Sequence, residues 1–423
     1  LNILSFEPFA QQEGHFGVYT SQVSQELADL GNAVTVVTTR LDAKNFLSSP
    51  PRFRIIETGR ATGNEAEGRS GFLKSALRGV GLILGNARAL LALLRTWRAG
   101  NFDVVHFFDF EPVSTVLILG LYSLFFRARL TPLCVVVHAP DPSFQAHGNI
   151  LYQIYGRLSR PALRIVLSRY ADVITAHGTW APGELESLLG LGRDDGRIRF
   201  VPYGTVVPDR TPSRAEARGA LGLDAGETVL LFFGMLRKDK GVELLIEAMG
   251  GVKGDCRLIL AGTPFDWRRE DILRMIRDRH AEERVLPMLE YIPEPDIPRY
   301  FAAADALVLP YKRNYMGAAG PLKTAMGFGL PVIATEVREL SEFMKLGRIG
   351  ISSEPENADS LRTAIERFLA TGAAERAEMS ETGRRLAKRF SWSVLAEAFA
   401  RIYQSLTTGN GRPSDRAARE GPE

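Results

Sequence analysis

Arg237 and Lys240 stand where an apolar run gives way to a helical pattern, in Leu231-Phe-Phe-Gly-Met-Leu-Arg-Lys-Asp-Lys-Gly-Val-Glu-Leu-Leu-Ile-Glu-Ala-Met249. The chemistry such a pair can perform is to hold a multiply charged anion. Arginine presents a planar fork to two oxygens, and lysine a compact point charge. The helical pattern resuming at Val242 adds backbone N–H groups and the positive end of a helix dipole. A diphosphate matches these donors, because its departure builds charge on oxygens that pre-placed cations stabilise without reorganising. An ordinary strand-to-helix loop with solvated charges uses the same residue types, so the rest of the chain has to choose.

A second small-residue element follows another apolar run, in Tyr315-Met-Gly-Ala-Ala-Gly-Pro-Leu-Lys-Thr-Ala-Met-Gly-Phe-Gly329. Gly317, Ala318, Ala319 and Gly320 would let backbone amides approach a phosphate or sugar. Pro321, with Leu322 after it, suits a helix start aimed at the same place. Taken alone, a glycine cluster is equally a plain loop. Three histidines end apolar runs: His106 in Phe102-Asp-Val-Val-His, His138 in Leu133-Cys-Val-Val-Val-His, and His177 in Ala176-His-Gly-Thr-Trp180. The carboxyl edge of a parallel sheet is its functional edge, so each is a ligand candidate as well as a structural one. His15, in Glu13-Gly-His-Phe-Gly17, follows the first run; His147 and His280 carry no such signal. Asp109-Phe-Glu111 has the spacing of a paired-carboxylate cation motif but lies in the other half of the chain. With two cations to neutralise a diphosphate, no metal and no other cofactor is expected.

The elements that must position these residues alternate. Short apolar strands are read at Ile3 to Phe6, Val34 to Thr38, Val104 to Phe107, Leu133 to Val137 and Val173 to Ala176, with a helix around Tyr19 to Leu30. A second series runs Val229 to Phe233, Arg257 to Ala261, Ala306 to Leu309 and Pro331 to Thr335. Alternation of strand and helix predicts parallel sheets covered on both faces. At 423 residues the chain suits two such domains. The proline-punctuated stretch Val201 to Pro212 marks the connection. The expected division is 1–205, 206–390, a last helix over 391–407 and a polar, disordered tail over 408–423.

Composition excludes more than it assigns. A net charge of +3 gives no ground for nucleic acid, and 45% hydrophobic residues describe an ordinary globular protein. Cys134 and Cys256 sit far apart in apolar runs, as reduced core thiols do. The chain opens on Leu1, in a segment that reads as a strand with no basic n-region, which suggests a clipped or alternative start and a cytoplasmic location. Residues 69–102 carry six Lys or Arg, no Asp or Glu, and a leucine-rich pattern with Trp97. A membrane-surface helix and a core helix with a basic outer face fit that pattern equally. Val113 to Phe126 is apolar but shorter than the ~20 residues a spanning helix needs, and reads as a buried or interfacial helix.

In this order the motifs resemble the retaining nucleotide-sugar glycosyltransferases of family 4, over nearly the whole chain from Ile3 to Tyr403. The resemblance rests on Phe233-Gly-Met-Leu-Arg-Lys-Asp-Lys-Gly241, Ala304-Asp-Ala-Leu-Val-Leu-Pro310, Phe328-Gly-Leu-Pro-Val-Ile-Ala-Thr335, Tyr203-Gly-Thr-Val-Val-Pro208 and Phe390-Ser-Trp-Ser393. It implies an α/β GT-B fold, two facing Rossmann-like doubly wound domains with a last helix crossing back to the first. Arg237, Lys240 and Gly14 would lie on the donor diphosphate, and residues 317–322 on donor phosphate and sugar. Ile292 would meet the base through its backbone, and His138, His15 and His106 the sugar or acceptor. Many relatives carry two glutamates where this chain has Met316 and Thr324. It therefore resembles the branch without that pair, and only the Thr324 hydroxyl is left to meet a ribose. The implied activity is metal-independent hexosyl transfer, with retention, from a nucleoside diphosphate sugar to a glycan or lipid-linked acceptor in cell-surface polysaccharide or glycolipid synthesis. The expected place is cytoplasmic or peripheral on the inner membrane face, with membrane contact through 69–102. A non-catalytic scaffold subunit and a nucleotide-sugar epimerase are the alternatives.

Overall fold

The computed structural model describes residues 1–10, 16–41, 51–59, 72–125, 131–138, 150–178, 181–190, 196–201, 203–205, 211–315 and 319–408. They form two compact units, Leu1–Tyr203 with Trp392–Glu423, and Gly204–Ser391. In the first unit the order is β1 (Asn2–Glu7), α1 (Phe16–Asp29), β2 (Ala33–Thr38), β3 (Arg54–Glu57), α2 (Phe72–Ala99), β4 (Val104–Phe107) and α3 (Pro112–Phe125). It continues with β5 (Leu133–Val137), α4 (Ile150–Ile165), β6 (Val173–Ala176), α5 (Ala181–Leu189) and β7 (Ile198–Phe200). The second unit runs α6 (Arg214–Ala220), β8 (Val229–Phe233), α7 (Val242–Gly251), β9 (Arg257–Ala261), α8 (Arg269–Asp278), β10 (Val285–Met288), α9 (Ile297–Ala303) and β11 (Ala306–Leu309). It ends with α10 (Gly320–Phe328), β12 (Val332–Thr335), α11 (Arg338–Leu346), β13 (Gly350–Ser353), α12 (Ala358–Leu369) and α13 (Ala373–Arg389). The last helix, α14 (Trp392–Thr407), returns to the first unit and packs on α1 and β4.

Both sheets are parallel throughout, seven strands in the order β3-β2-β1-β4-β5-β6-β7 and six in the order β10-β9-β8-β11-β12-β13. Central strands such as Leu133–Val137 and Val229–Phe233 are apolar at every position because helices cover both faces, and their residues are buried accordingly. The chain order reverses between β1 and β4 in one sheet and between β8 and β11 in the other. At such a switch point the loops leaving adjacent strands diverge and open a crevice at the carboxyl edge.

Four strands went unread in the sequence: β3, β7, β10 and β13. All four are sheet edges. An edge strand has a neighbour on one side only and keeps polar residues, as Arg54-Ile-Ile-Glu57 and Gly350-Ile-Ser-Ser353 do. Their short, mixed runs lack the signature of a strand buried on both faces.

The candidate diphosphate site and the carboxyl edge of the first sheet

The two anion-holding elements read from the sequence meet at the switch point of the second sheet. β8 ends at Phe233, Gly234 turns with φ +115°, and Lys238–Lys240 forms a single 3₁₀ turn before α7. A β-carbon on Gly234 would lie 3.1 Å from Lys240 Nζ and 3.8 Å from Pro321 Cγ, so the ammonium sits beside the first turn of α10. Gly241 adopts φ +67°, and a β-carbon there would lie 2.0 Å from the Pro310 carbonyl oxygen. Only glycine allows the turn to close against the end of β11.

Lys240 is buried, with Nζ 5.8 Å from the centre of the Tyr311 ring. Burial, with the Arg237 cation beside it, brings its ammonium down from the ordinary lysine value to about 8. Arg237 keeps part of its surface exposed and places its guanidinium on Asp239: Nε donates to Oδ1 at 3.0 Å, and a second N–H donates to Oδ2. Asp239 was not singled out in the sequence. It is the third residue of Arg-Lys-Asp-Lys and the only carboxylate in it, and its two oxygens hold the Arg237 guanidinium.

Gly320 opens α10, with Pro321 in its first turn. The Ala319 amide is already engaged, donating to Glu339 Oε2 at 2.5 Å, while Lys323 donates to Oε1 of the same carboxylate. Glu339, from α11, therefore fixes the start of α10 rather than leaving the Ala319 N–H for a ligand. The Leu322 side chain is fully buried in the core, so only its backbone could meet a donor phosphate or sugar. The Thr324 hydroxyl donates to the Gly320 carbonyl at 3.2 Å, leaving only its oxygen lone pairs for a ribose. The Ile292 side chain is buried in the core of this unit, where only its backbone could meet a base. Gly14, His15, Gly317, Ala318 and Met316 lie outside the described residues.

In the first unit, His138 follows β5 with its ring 4.9 Å from Tyr19 and 5.1 Å from His177. Tyr203 and Trp392 close the cluster around Tyr19, at 5.6 and 5.7 Å. His177 Nδ1 bonds the Val201 carbonyl at 2.9 Å. His106 is placed differently from the sequence expectation. It is fully buried among Phe108, Phe399 and Tyr403, with Nδ1 2.5 Å from the Tyr403 hydroxyl. Burial and the neighbouring His177 depress its pKa to about 3. A neutral imidazole tied to α14 is a packing residue, not one that meets sugar or acceptor.

Glu111 is consumed as the cap of α3, accepting from the Val113 and Ser114 amides, the Ser114 hydroxyl and the Tyr155 hydroxyl. Among the described residues no three His, Cys, Asp or Glu side chains gather as a metal site. Asp109 instead faces Glu7, which ends β1 and is fully buried. Burial raises both carboxyls, Asp109 to about 7. A glutamate at the end of the first strand was the available signal, and it was missed.

Two parallel-sheet units with these switch points define the GT-B architecture, as solved relatives show. Sucrose-phosphate synthase from Thermosynechococcus elongatus superposes with a TM-score of 0.74 at 20% identity, over 96% of this chain and 99% of that one. HepE of Anabaena, solved with UDP and glucose, gives 0.66 at 15% identity, over 96% of this chain and 100% of that one. Residues 213–386 match the family "Glycosyl transferases group 1", and residues 16–204 match "Glycosyl transferase 4-like domain". The chain belongs to the group 1 glycosyltransferases. D-inositol 3-phosphate glycosyltransferase of Pseudarthrobacter chlorophenolicus is 25% identical over 94% of this chain and 92% of its own length. Glycogen synthase of Mycobacterium tuberculosis is 24% identical over 95% of this chain and 94% of its own.

Proposed function

We propose that the protein moves a hexose, with retention, from a nucleoside diphosphate sugar to a hydroxyl of a glycan or glycolipid acceptor in cell-surface polysaccharide or glycolipid synthesis. The observation that carries this reading is the meeting of Arg237, Lys240 and the start of α10 at one switch point. A relative solved with UDP-glucose supports the donor class. In the reaction, the bond from the sugar's anomeric carbon to the phosphate oxygen breaks as charge grows on the diphosphate. Arg237 and Lys240 neutralise that charge, so this reading needs no divalent ion. The acceptor oxygen bonds the same face of the anomeric carbon, and its proton passes to the leaving phosphate oxygen. His138 binds the transferred sugar or the acceptor. Residues 69–102 bring the protein to the cytoplasmic membrane surface, where a lipid-linked acceptor would be met.

Purified protein given UDP-, GDP- and ADP-sugars with extracted lipid acceptors should release one nucleoside diphosphate in step with glycosylated product. Binding without turnover across the set would point to a scaffold subunit, and donor interconversion without acceptor to an epimerase. The pH profile is a second test. Lys240 carries its charge below about 8 and loses it above, so kcat/KM should fall on the alkaline side with an apparent pKa near that value. Lys240→Met should show a low rate without that limb; a wild-type profile flat to pH 10 would count against Lys240 as a donor contact.

A further inference from the structure

The three helices α2, α3 and α4 lie side by side on the first unit, α3 packing against both neighbours. Their inner residues, such as Leu90 and Leu93 of α2, Leu119 of α3 and Leu163 of α4, belong to the core. Their outer residues should then be polar, but they are not. On α3, Leu117, Leu121 and Leu124 are 62%, 57% and 75% exposed. Spacings of four and three residues place them in one stripe along the helix. Leu84 of α2 and Leu158 of α4, 63% and 57% exposed, extend the apolar surface to either side. A buried polar cluster ties the layer together: Asn86 of α2 donates to Ser114 and Thr115, and Tyr155 of α4 donates to Glu111 at the start of α3.

Charge on this layer has one sign. The sequence places five basic residues on α2, three on α4 and one on the π-helical turn Val166–Tyr170, with not one Asp or Glu in any of them or in α3. Arg88, Arg95, Arg157 and Arg164 are exposed on the two helices that flank the leucine stripe. A second copy of this chain meeting the face about a two-fold axis would set arginine against arginine. A bilayer with anionic headgroups meets both features, taking leucines into the acyl boundary and guanidinium groups at the phosphates.

We infer that the outer face of α2, α3 and α4 docks on an anionic bilayer, with Leu117, Leu121 and Leu124 as the inserting residues. This rests on the membrane-surface part of the functional reading and extends the contact from residues 69–102, which hold α2, to a three-helix face centred on α3. The test is flotation of the full chain with vesicles of phosphatidylcholine alone or mixed with phosphatidylglycerol, at low and high salt. The protein should float with the mixed vesicles only, and less at high salt. Leu117→Ser/Leu121→Ser/Leu124→Ser should lower vesicle partition by about tenfold or more, and Arg88→Gln/Arg157→Gln should lower it at low salt. Leu121→Cys carrying an environment-sensitive fluorophore should shift to the blue with mixed vesicles; the native Cys134 and Cys256 are buried. No flotation, unchanged flotation of the leucine variant, or a dimer that the leucine variant abolishes would each overturn the proposal. Diphosphate release measured without vesicles reports on the transferase reading separately, so the two can fail independently.

Discussion

Arg237→Ala combined with Lys240→Ala is expected to lower kcat/KM for the nucleotide sugar by roughly 10²- to 10⁴-fold, since each charged contact is worth about 1.5–3 kcal/mol. For Lys240 the loss should appear without loss of fold. Lys240 is buried beside a second cation, and its charge is disfavoured in the folded state. The unfolded chain holds that proton to the ordinary lysine value of 10.5, and the folded chain only to about 8. Between those values the unfolded state binds more protons, so stability rises with pH, and below them the buried charge costs up to about 3 kcal/mol. Lys240→Met should therefore be at least as stable as the wild type at neutral pH while being far less active. A variant that unfolds earlier than the wild type would show Lys240 to be structural. Arg237→Ala alone should do less harm to binding than the pair, and it leaves Asp239 as a buried carboxylate without its partner.

Arg218→Met should have the largest effect on stability, about 3–5 kcal/mol. Arg218 is 2% exposed. Its guanidinium donates to the carbonyls of Ala303, Asp224, Ala225 and Glu227 at 2.8–3.0 Å and to Asp305 Oδ2 at 2.8 Å. Asp305 also accepts the Val229 amide at 2.7 Å. One side chain thus joins α6 to the starts of β8 and β11, the two strands whose far ends carry the proposed diphosphate site. Removing it strands four carbonyls and takes one of the two arginines from Asp305, which keeps Arg214 and the Val229 amide. Lysine cannot rescue it, because one ammonium cannot reach the positions a fork spans. Hydrogen exchange should show amides of β8 and β11 opening early while β4 and β5 keep their protection; a denaturation midpoint equal to the wild type's would refute this role.

Much of the architecture was legible because buried parallel strands leave an unmistakable trace. Runs such as Val229-Leu-Leu-Phe-Phe233 have no polar position, and the turns after them carry the glycines their geometry requires. The edge strands were illegible for the converse reason. Within the site, legibility followed charge. Arg237, Lys240 and the small residues before α10 announced an anion site, and the folded chain brings Lys240 to that helix start. Glu339 gave no signal, since it lies in a later helix and reaches Ala319 and Lys323 only through the tertiary fold. His106 misled because an imidazole at a strand's carboxyl end suits a ligand site or a helix that covers it, and the α14 residue that covers it is nearly three hundred positions away. The leucine face of α3 was half legible: its hydrophobicity was plain, but which leucines point outward depends on α2 and α4.

The central claim is that a diphosphate is held by Arg237 and Lys240 at the switch point of the second unit. Calorimetric titration of UDP, GDP and ADP into the wild type and the Arg237→Ala/Lys240→Ala variant, with the bare nucleosides as controls, tests it most directly. One diphosphate should bind the wild type at least about a hundredfold more tightly than the variant, while its nucleoside binds both alike. Equal affinity of that diphosphate for the two proteins would contradict the account.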